Sequence, residues 1–175
     1  MADVDRLFRL YHAPLVRYLT RRLGDSDWAD EVAQETFVRA LRHPEIANER
    51  AWLFTVATNL VRDSARKDQR QRRHLQLMAE HARGEEETQE PVITSLERAQ
   101  EARMARTAVE TLAEKDRLAL LMREEGLDYT EIAEALGLSS GSVGTTLSRA
   151  RRRLVQAYES LQQDGMRREG SSGAS

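Results

Sequence analysis

The chain contains no cysteine, which excludes disulfides and zinc–thiolate sites from it. It has three prolines and nine glycines in 175 residues, and no stretch alternates apolar and polar residues as a strand would, so helical spacing dominates. Aromatics make up 5% and hydrophobics 40%, against 32% charged residues. That balance disfavours one large core and favours two small helical units joined by a polar segment. No apolar run approaches the ~20 residues of a membrane span, and the start lacks a signal-peptide pattern. The expected location is the cytoplasm. The four histidines, His12, His43, His74 and His81, are scattered. Even the pair seven apart would sit about 10 Å from each other along a helix, too far to ligate one metal. HExxH, Walker, GxGxxG and GxSxG patterns are missing, and the carboxylates fall on solvent faces rather than converging. The expectation is no metal, no cofactor, no small-molecule substrate and no enzymatic activity.

What the chain does have is segregated charge. Its net charge of −2 conceals an acidic block at Asp25 to Glu35 (DSDWADEVAQE), a basic block at Arg62 to Arg73 (RDSARKDQRQRR), the acidic EEETQE of Glu85 to Glu90, and a basic Arg149 to Arg153. Single blocks are commonly solvated faces. Four alternating blocks on separate elements point to a protein that meets polyanion in some places and a basic partner in others.

The spacing predicts helices over residues 3–12, 14–23, 26–42, 50–73 (fraying toward 81), 95–112, 115–125, 129–136 and 140–162. Pro14 suits a helix first turn, Gly24 a helix end, and Asp25 or Ser26 a cap. The segment HARGEEETQEPVITS has linker composition, so a flexible acidic linker is expected over residues 81–94, between an all-α unit at 1–80 and a second at 95–163. Residues 164–175 are expected to be a disordered tail.

Three of these helices carry function. On the 26–42 helix, Ala29, Ala33, Phe37 and Leu41 form one side and Asp27, Glu31 and Glu35 a stripe on the other. The stripe has no basic residue within the block to neutralise it, and like charges at this spacing weaken an isolated helix. It reads either as a solvated face or as a dock for a cationic partner. On the 50–73 helix, Leu53, Val56, Ala57, Leu60 and Ser64 form the expected core face. Thr55, Asn59, Arg62, Arg66 and Arg73 lie opposite, with Trp52 and Arg70 at the edge. A tryptophan there is covered either by the preceding loop RHPEIANER or by nucleic acid. Aromatic, amide and cation along one stripe suit an unpaired strand better than phosphate alone.

The strongest motif is YTEIAEALGLSSGSVGTTLSRARRRL, Tyr129 to Leu154. Ile132, Ala133 and Leu136 face inward on a short helix, Gly137 makes a turn requiring positive φ, Leu138 fills the corner, and Ser139 or Ser140 caps the next helix. Val143, Leu147, Ala150, Leu154 and Leu161 form an apolar stripe, with Gly141, Thr145, Ser148, Arg149 and Arg152 pointing away from it. This is a helix-turn-helix whose thin N-terminal end lets backbone enter a major groove while arginines reach bases or phosphates.

Taken in order, DWADEVAQETFVRAL, AWLFTVATNLVRD with its basic continuation, a linker, and LAEKDRLALLMREEGLDYTEIAEALGLSSGSVGTTLSRARRRL resemble bacterial RNA polymerase sigma factors of the extracytoplasmic-function (group IV) type. The resemblance implies two domains, sigma regions 2 and 4, and a promoter-specificity role with core RNA polymerase, promoter DNA and commonly an anti-sigma factor as partners. It implies that Asp30, Glu31, Gln34, Glu35 and Phe37, beside Asp27, dock on the β′ clamp helices, with the β subunit also in contact. It further implies that the Trp52–Asn59 helix melts and reads the −10 element, and that the helix-turn-helix, Ser140 and Gly144 included, reads the −35 duplex. Two positions depart from the family: Gly144 replaces a common basic residue, and Ile46 stands nearest to the usual loop aromatic. The alternatives are a conventional helix-turn-helix regulator acting without polymerase, which leaves Trp52, Asn59 and the acidic stripe without a role, and a helical adaptor, which leaves both arginine clusters without one.

Overall fold

A computed structural model of the chain describes residues 3–43, 45–76 and 96–172. All regular structure among them is helical: α1 (Val4–Leu23), α2 (Ser26–Leu41), α3 (Glu49–Gln76), α4 (Leu96–Glu110), α5 (Glu114–Glu124), α6 (Tyr129–Leu136) and α7 (Ser140–Ser172). The expected linker over 81–94 lies outside the described residues.

The N-terminal unit packs α1 against α2 and α2 against α3. Where two helices are expected around Pro14, α1 is continuous. A mid-helix proline costs roughly 3 kcal/mol through its lost hydrogen bond and ring clash. Leu7, Leu15, Tyr18 and Leu19 keep one helical register across it and are all buried. Burial of four such side chains, at about 1.5–3 kcal/mol each, outweighs that cost. The helix ends where expected, with Gly24 at φ 70° as its left-handed cap. Asp25 then caps α2, its carboxylate accepting from the Trp28 N–H at 2.9 Å. Inside the unit, Tyr18 and Phe54 pack as tilted rings with centroids 5.1 Å apart, and the Tyr18 hydroxyl shares a 2.9 Å hydrogen bond with Thr58 Oγ1. Burial pushes the Tyr18 phenol above its ordinary pKa, against the opposing pull of Arg22.

In the C-terminal unit α4 and α5 both pack on α7, and α6 sits between α5 and α7. A capping box starts α6: Asp128 accepts from Glu131 N–H and Glu131 accepts from Asp128 N–H, each at 2.8 Å. Gly137 closes it at φ 63°. Helix α7 runs to Ser172, well past the expected end and through the expected tail. Gln162, Gln163, Asp164, Met166 and Arg167 are exposed, and Gly165 and Gly170 disfavour helix, so little beyond backbone hydrogen bonds holds this extension.

The two units do not stand apart. Helix α3 packs on α6 and α1 on α5, and the buried cluster is continuous from Leu7 through Leu147.

Candidate nucleic-acid interface

Ala29, Val32, Ala33, Thr36, Phe37 and Ala40 bury one side of α2, while Asp27, Asp30, Glu31, Gln34 and Glu35 are all exposed on the other. Asp27, Asp30 and Glu31 make no ion pair among the described residues. Three details differ from expectation. Phe37 belongs to the core rather than the docking surface, packed against Phe8 and His12 at centroid distances of 5.2 and 6.1 Å, where it supports the face from behind. Leu41, the last residue of α2, is exposed, although Ala40 beside it is buried. The stripe also has one local counter-charge, Arg39, which lies one turn beyond Glu35 and bonds it at 2.9 Å. Between two exposed groups that pair contributes only about 0.3–0.5 kcal/mol.

On α3, Leu53 and Ala57 are buried as expected, but Val56, Leu60 and Ser64 are half-buried and Phe54, Thr58 and Val61 are buried instead. Phe54 and Thr58 are buried because they face α1, where Phe54 packs on the Tyr18 ring and Thr58 bonds its hydroxyl. Asn59 is exposed. Thr55 is half-buried, its hydroxyl donating to the Ala51 carbonyl at 2.6 Å. Trp52 is half-buried with its ring edge-on to His43 at 5.2 Å, so the loop after α2 does lean on it while leaving part of the ring open. Arg62 donates to Glu114 of the C-terminal unit at 3.4 Å. Arg66, Arg70 and Arg73 lie further along the same helix, and their side chains are outside the described residues.

The helix-turn-helix has the expected core, with Ile132, Ala133, Leu136, Val143, Leu147 and Ala150 buried and Leu138 packed against them. Helix α7 begins at Ser140, which puts Ser139 at its cap position, although the bond there is from the Ser142 hydroxyl to the Ser139 carbonyl at 2.8 Å. Ser140, Gly141, Thr145, Ser148 and Arg152 are exposed along the outward side. A Cβ on Gly141 would meet nothing within 4 Å, whereas one on Gly144 would touch the Tyr129 ring at 3.5 Å. Tyr129 is itself exposed and lies under the Arg123 guanidinium at 5.7 Å.

Arg149 departs most from its expected role. Its Nε donates to Asp116 Oδ2 at 3.0 Å and its Nη2 to Oδ1, while Arg153 reaches the same carboxylate at 3.3 Å. Asp116 is 1% exposed. The Arg149 hydrogen bond holds its carboxyl below the ordinary range, against the opposing cost of burial, and the same contact raises Arg149. This fork fastens α5 to α7 and holds the recognition helix in place. No sequence pattern marks Asp116 as its partner, 33 residues away. Arg17, Arg21, Arg22, Arg50, Glu125 and Glu131, which line the seam between the units, were likewise not singled out from sequence. The DxxE of Asp128 to Glu131 is the one signal there that could have been read, as a capping box.

Two family patterns match: Sigma-70 region 2 over residues 7–71 and Sigma-70 region 4 over residues 102–154. The chain is 34% identical over 162 residues to the ECF RNA polymerase sigma factor SigL of Mycobacterium tuberculosis, covering 89% of this chain and 88% of that one. It is 32% identical to the RNA polymerase sigma factor YlaC of Bacillus subtilis, covering 85% and 88%. Among solved structures, the sigma factor RpoE in complex with the anti-sigma factor NepR from Bartonella quintana shares the fold at a TM-score of 0.68 and 21% identity, covering 91% and 98%. CnrH in complex with the cytosolic domain of CnrY does so at 0.63 and 23%, covering 90% and 88%. With both regions present in order and relatives of this identity along nearly its whole length, the chain belongs to the sigma-70 family of RNA polymerase sigma factors, in its extracytoplasmic-function group.

Proposed function

We propose that this sigma factor docks on core RNA polymerase through the exposed face of α2, parts and reads the −10 strands with the Trp52–Asn59 face of α3, and reads the −35 duplex with the outward side of α7. It works in the cytoplasm and catalyses nothing itself. The observation that carries this reading is the pairing, on one chain, of an acidic face with three carboxylates that make no ion pair among the described residues and a helix-turn-helix with an open outward side. A helix-turn-helix regulator acting alone has no use for the first. With Phe37 buried and Arg149 held by Asp116, docking rests on the exposed Asp27, Asp30, Glu31, Gln34 and Glu35, and −35 contact on the exposed Ser140, Gly141, Thr145, Ser148 and Arg152. The two solved neighbours are complexes with an anti-sigma factor and with a cytosolic domain, which supports a protein inhibitor as a further partner of this chain.

Run-off transcription with core polymerase tests the reading. The wild type should yield promoter-dependent transcript above core alone; a chain that binds duplex operator yet gives none would establish the lone regulator instead. Asp30→Lys with Glu31→Lys reverses two exposed charges that make no ion pair among the described residues. It should weaken core binding at least tenfold with thermal stability unchanged, measured by fluorescence titration against core enzyme.

A further inference from the structure

Five arginines of the N-terminal unit meet three glutamates of the C-terminal unit. Arg17 donates to Glu125 through Nε at 3.0 Å and Nη2 at 2.8 Å, and Arg21 reaches the same carboxylate at 3.2 Å. Arg22 and Arg62 both donate to Glu114, at 3.2 and 3.4 Å. Arg50, two residues before Trp52, donates to Glu131 at 3.0 Å and to the Gly126 carbonyl at 3.0 Å. Asn48 adds a 3.4 Å contact to Glu134. Where the seam opens to solvent there is a cavity of about 380 Å³ whose charged lining is Arg22, Arg62, Arg117 and Glu114. The Arg117 Nε is buried there with no hydrogen-bond partner among the described residues. Cations outnumber carboxylates along this line, so it keeps the character of a polyanion-binding surface even with the glutamates in place.

We propose that these arginines are phosphate contacts for promoter DNA, and that in the free chain Glu114, Glu125 and Glu131 occupy them as internal stand-ins for phosphate, closing region 4 over region 2. The proposal rests on the sigma-factor reading and adds to it a DNA-backbone surface and a closed resting state. Arg62 shows the conflict most directly: it lies on the stripe that faces the −10 strands, and in this structure it is committed to the other unit. The acidic residues come from two different elements, the two ends of α5 and the first turn of α6, so one rigid-body departure of the C-terminal unit frees all five arginines. Arg17, Arg21, Arg50 and Arg62 are partly exposed, so salt and a competing anion can reach them; Arg62–Glu114 is the most open of these pairs, and the contacts to the buried Glu125 and Glu131 are the firmer ones. DNA presents phosphates at high density and gains from counterion release, so it competes with such pairs effectively.

The chain has no cysteine, so Asp5→Cys with Glu159→Cys gives two unique dye positions at exposed sites in different units. Energy transfer between them reports closure in the full-length chain. The variant Glu114→Gln/Glu125→Gln/Glu131→Gln removes the charges while keeping side-chain length, and glutamine can still serve the capping box at 131. At ~50 mM salt the variant should show lower transfer than the wild type, and the two should converge by ~500 mM. The free variant should also bind a fluorescent mixed-sequence single strand about tenfold more tightly at ~50 mM salt, since closure reduces apparent affinity by the fraction of open molecules. Unchanged transfer overturns the proposal, and so does opening without a gain in affinity. Should the triple variant lose helicity, Arg17→Glu/Arg21→Glu/Glu125→Arg swaps one contact: recovery of transfer relative to Glu125→Arg alone supports the clasp, and no recovery refutes it. Failure of the wild type to support run-off transcription would refute the sigma-factor reading but leave the transfer measurement standing, so the two failures are distinguishable.

Discussion

Arg149 on α7 and Arg62 on α3 enter by the same sequence argument, each an arginine on the outward stripe of a helix expected to face DNA. Both are bonded to a carboxylate, and the carboxylates differ. Asp116 lies in the same unit as Arg149, is buried, and receives both arms of its guanidinium as well as Arg153. Glu114 lies in the other unit, is half exposed, and receives one Arg62 nitrogen at 3.4 Å. The first contact survives whatever the two units do, whereas the second vanishes once they separate. A stripe position therefore says that an arginine is presented to solvent, and the burial and ownership of its partner decide whether it is available to a ligand.

The largest effect should come from Asp116→Ala, which strands two arginines and loosens α5 from α7. Breaking a buried ion pair from one side costs about 3–5 kcal/mol. The stranded arginines are partly exposed and can turn to water, so about 2–3 kcal/mol is expected by chemical denaturation. A loss under ~0.5 kcal/mol would erase the distinction between the two arginines. The sign with pH follows from the depressed pKa of Asp116. A carboxylate held below its unfolded value stabilises the fold fully above the ordinary pKa of 3.8, and that contribution disappears as pH falls through the lower folded value. The stability gap between wild type and Asp116→Asn should therefore be constant near neutrality and shrink on acidification below that value.

Arg149→Ala comes next. It should lower stability measurably, because it leaves the buried Asp116 carboxylate with Arg153 alone. It should weaken binding to −35 duplexes by a similar factor whatever their sequence. Lysine at this position keeps the charge but not the two-pronged geometry and should recover only part of the stability. A scan of single-base changes across the −35 duplex checks this. Loss confined to one base pair would make Arg149 a reader after all.

These cases also show what was readable from the chain. Turn glycines and the helix-turn-helix core were legible because Gly24, Gly137, Ile132 and Val143 follow local backbone and periodicity rules that operate within a few residues. The exposure of Asp27, Asp30, Glu31 and Glu35 followed in the same way from a single amphipathic helix. Phe37 was legible twice, as core by spacing and as docking residue by resemblance, and its burial agrees with the spacing. What was not legible depends on contacts across tens of residues: the Asp116 fork, the Tyr18 ring and hydroxyl that turn the buried face of α3 toward Phe54 and Thr58, and the glutamates of the seam. Pro14 was misread for a related reason, since its local preference was overridden by the buried register of Leu7, Leu15 and Tyr18.

The smallest effect on stability should belong to Arg62→Ala. Its contact with Glu114 is long, single and partly exposed on both sides, a class of ion pair worth about 0–1 kcal/mol, so a change under ~0.5 kcal/mol is expected. The functional expectation runs the other way: if Arg62 holds a −10 phosphate once the units part, the variant on core polymerase should lose affinity for forked promoter DNA and lower the salt slope by about one phosphate contact. Arg149→Ala and Arg62→Ala would then form opposite pairs, the first costly to the fold and indifferent to DNA sequence, the second nearly free to the fold and costly to strand binding. Measuring both variants for unfolding free energy and for salt-dependent binding decides this. Equal stability losses would place Arg62 in the fold alongside Arg149 and remove it from the strand-binding face.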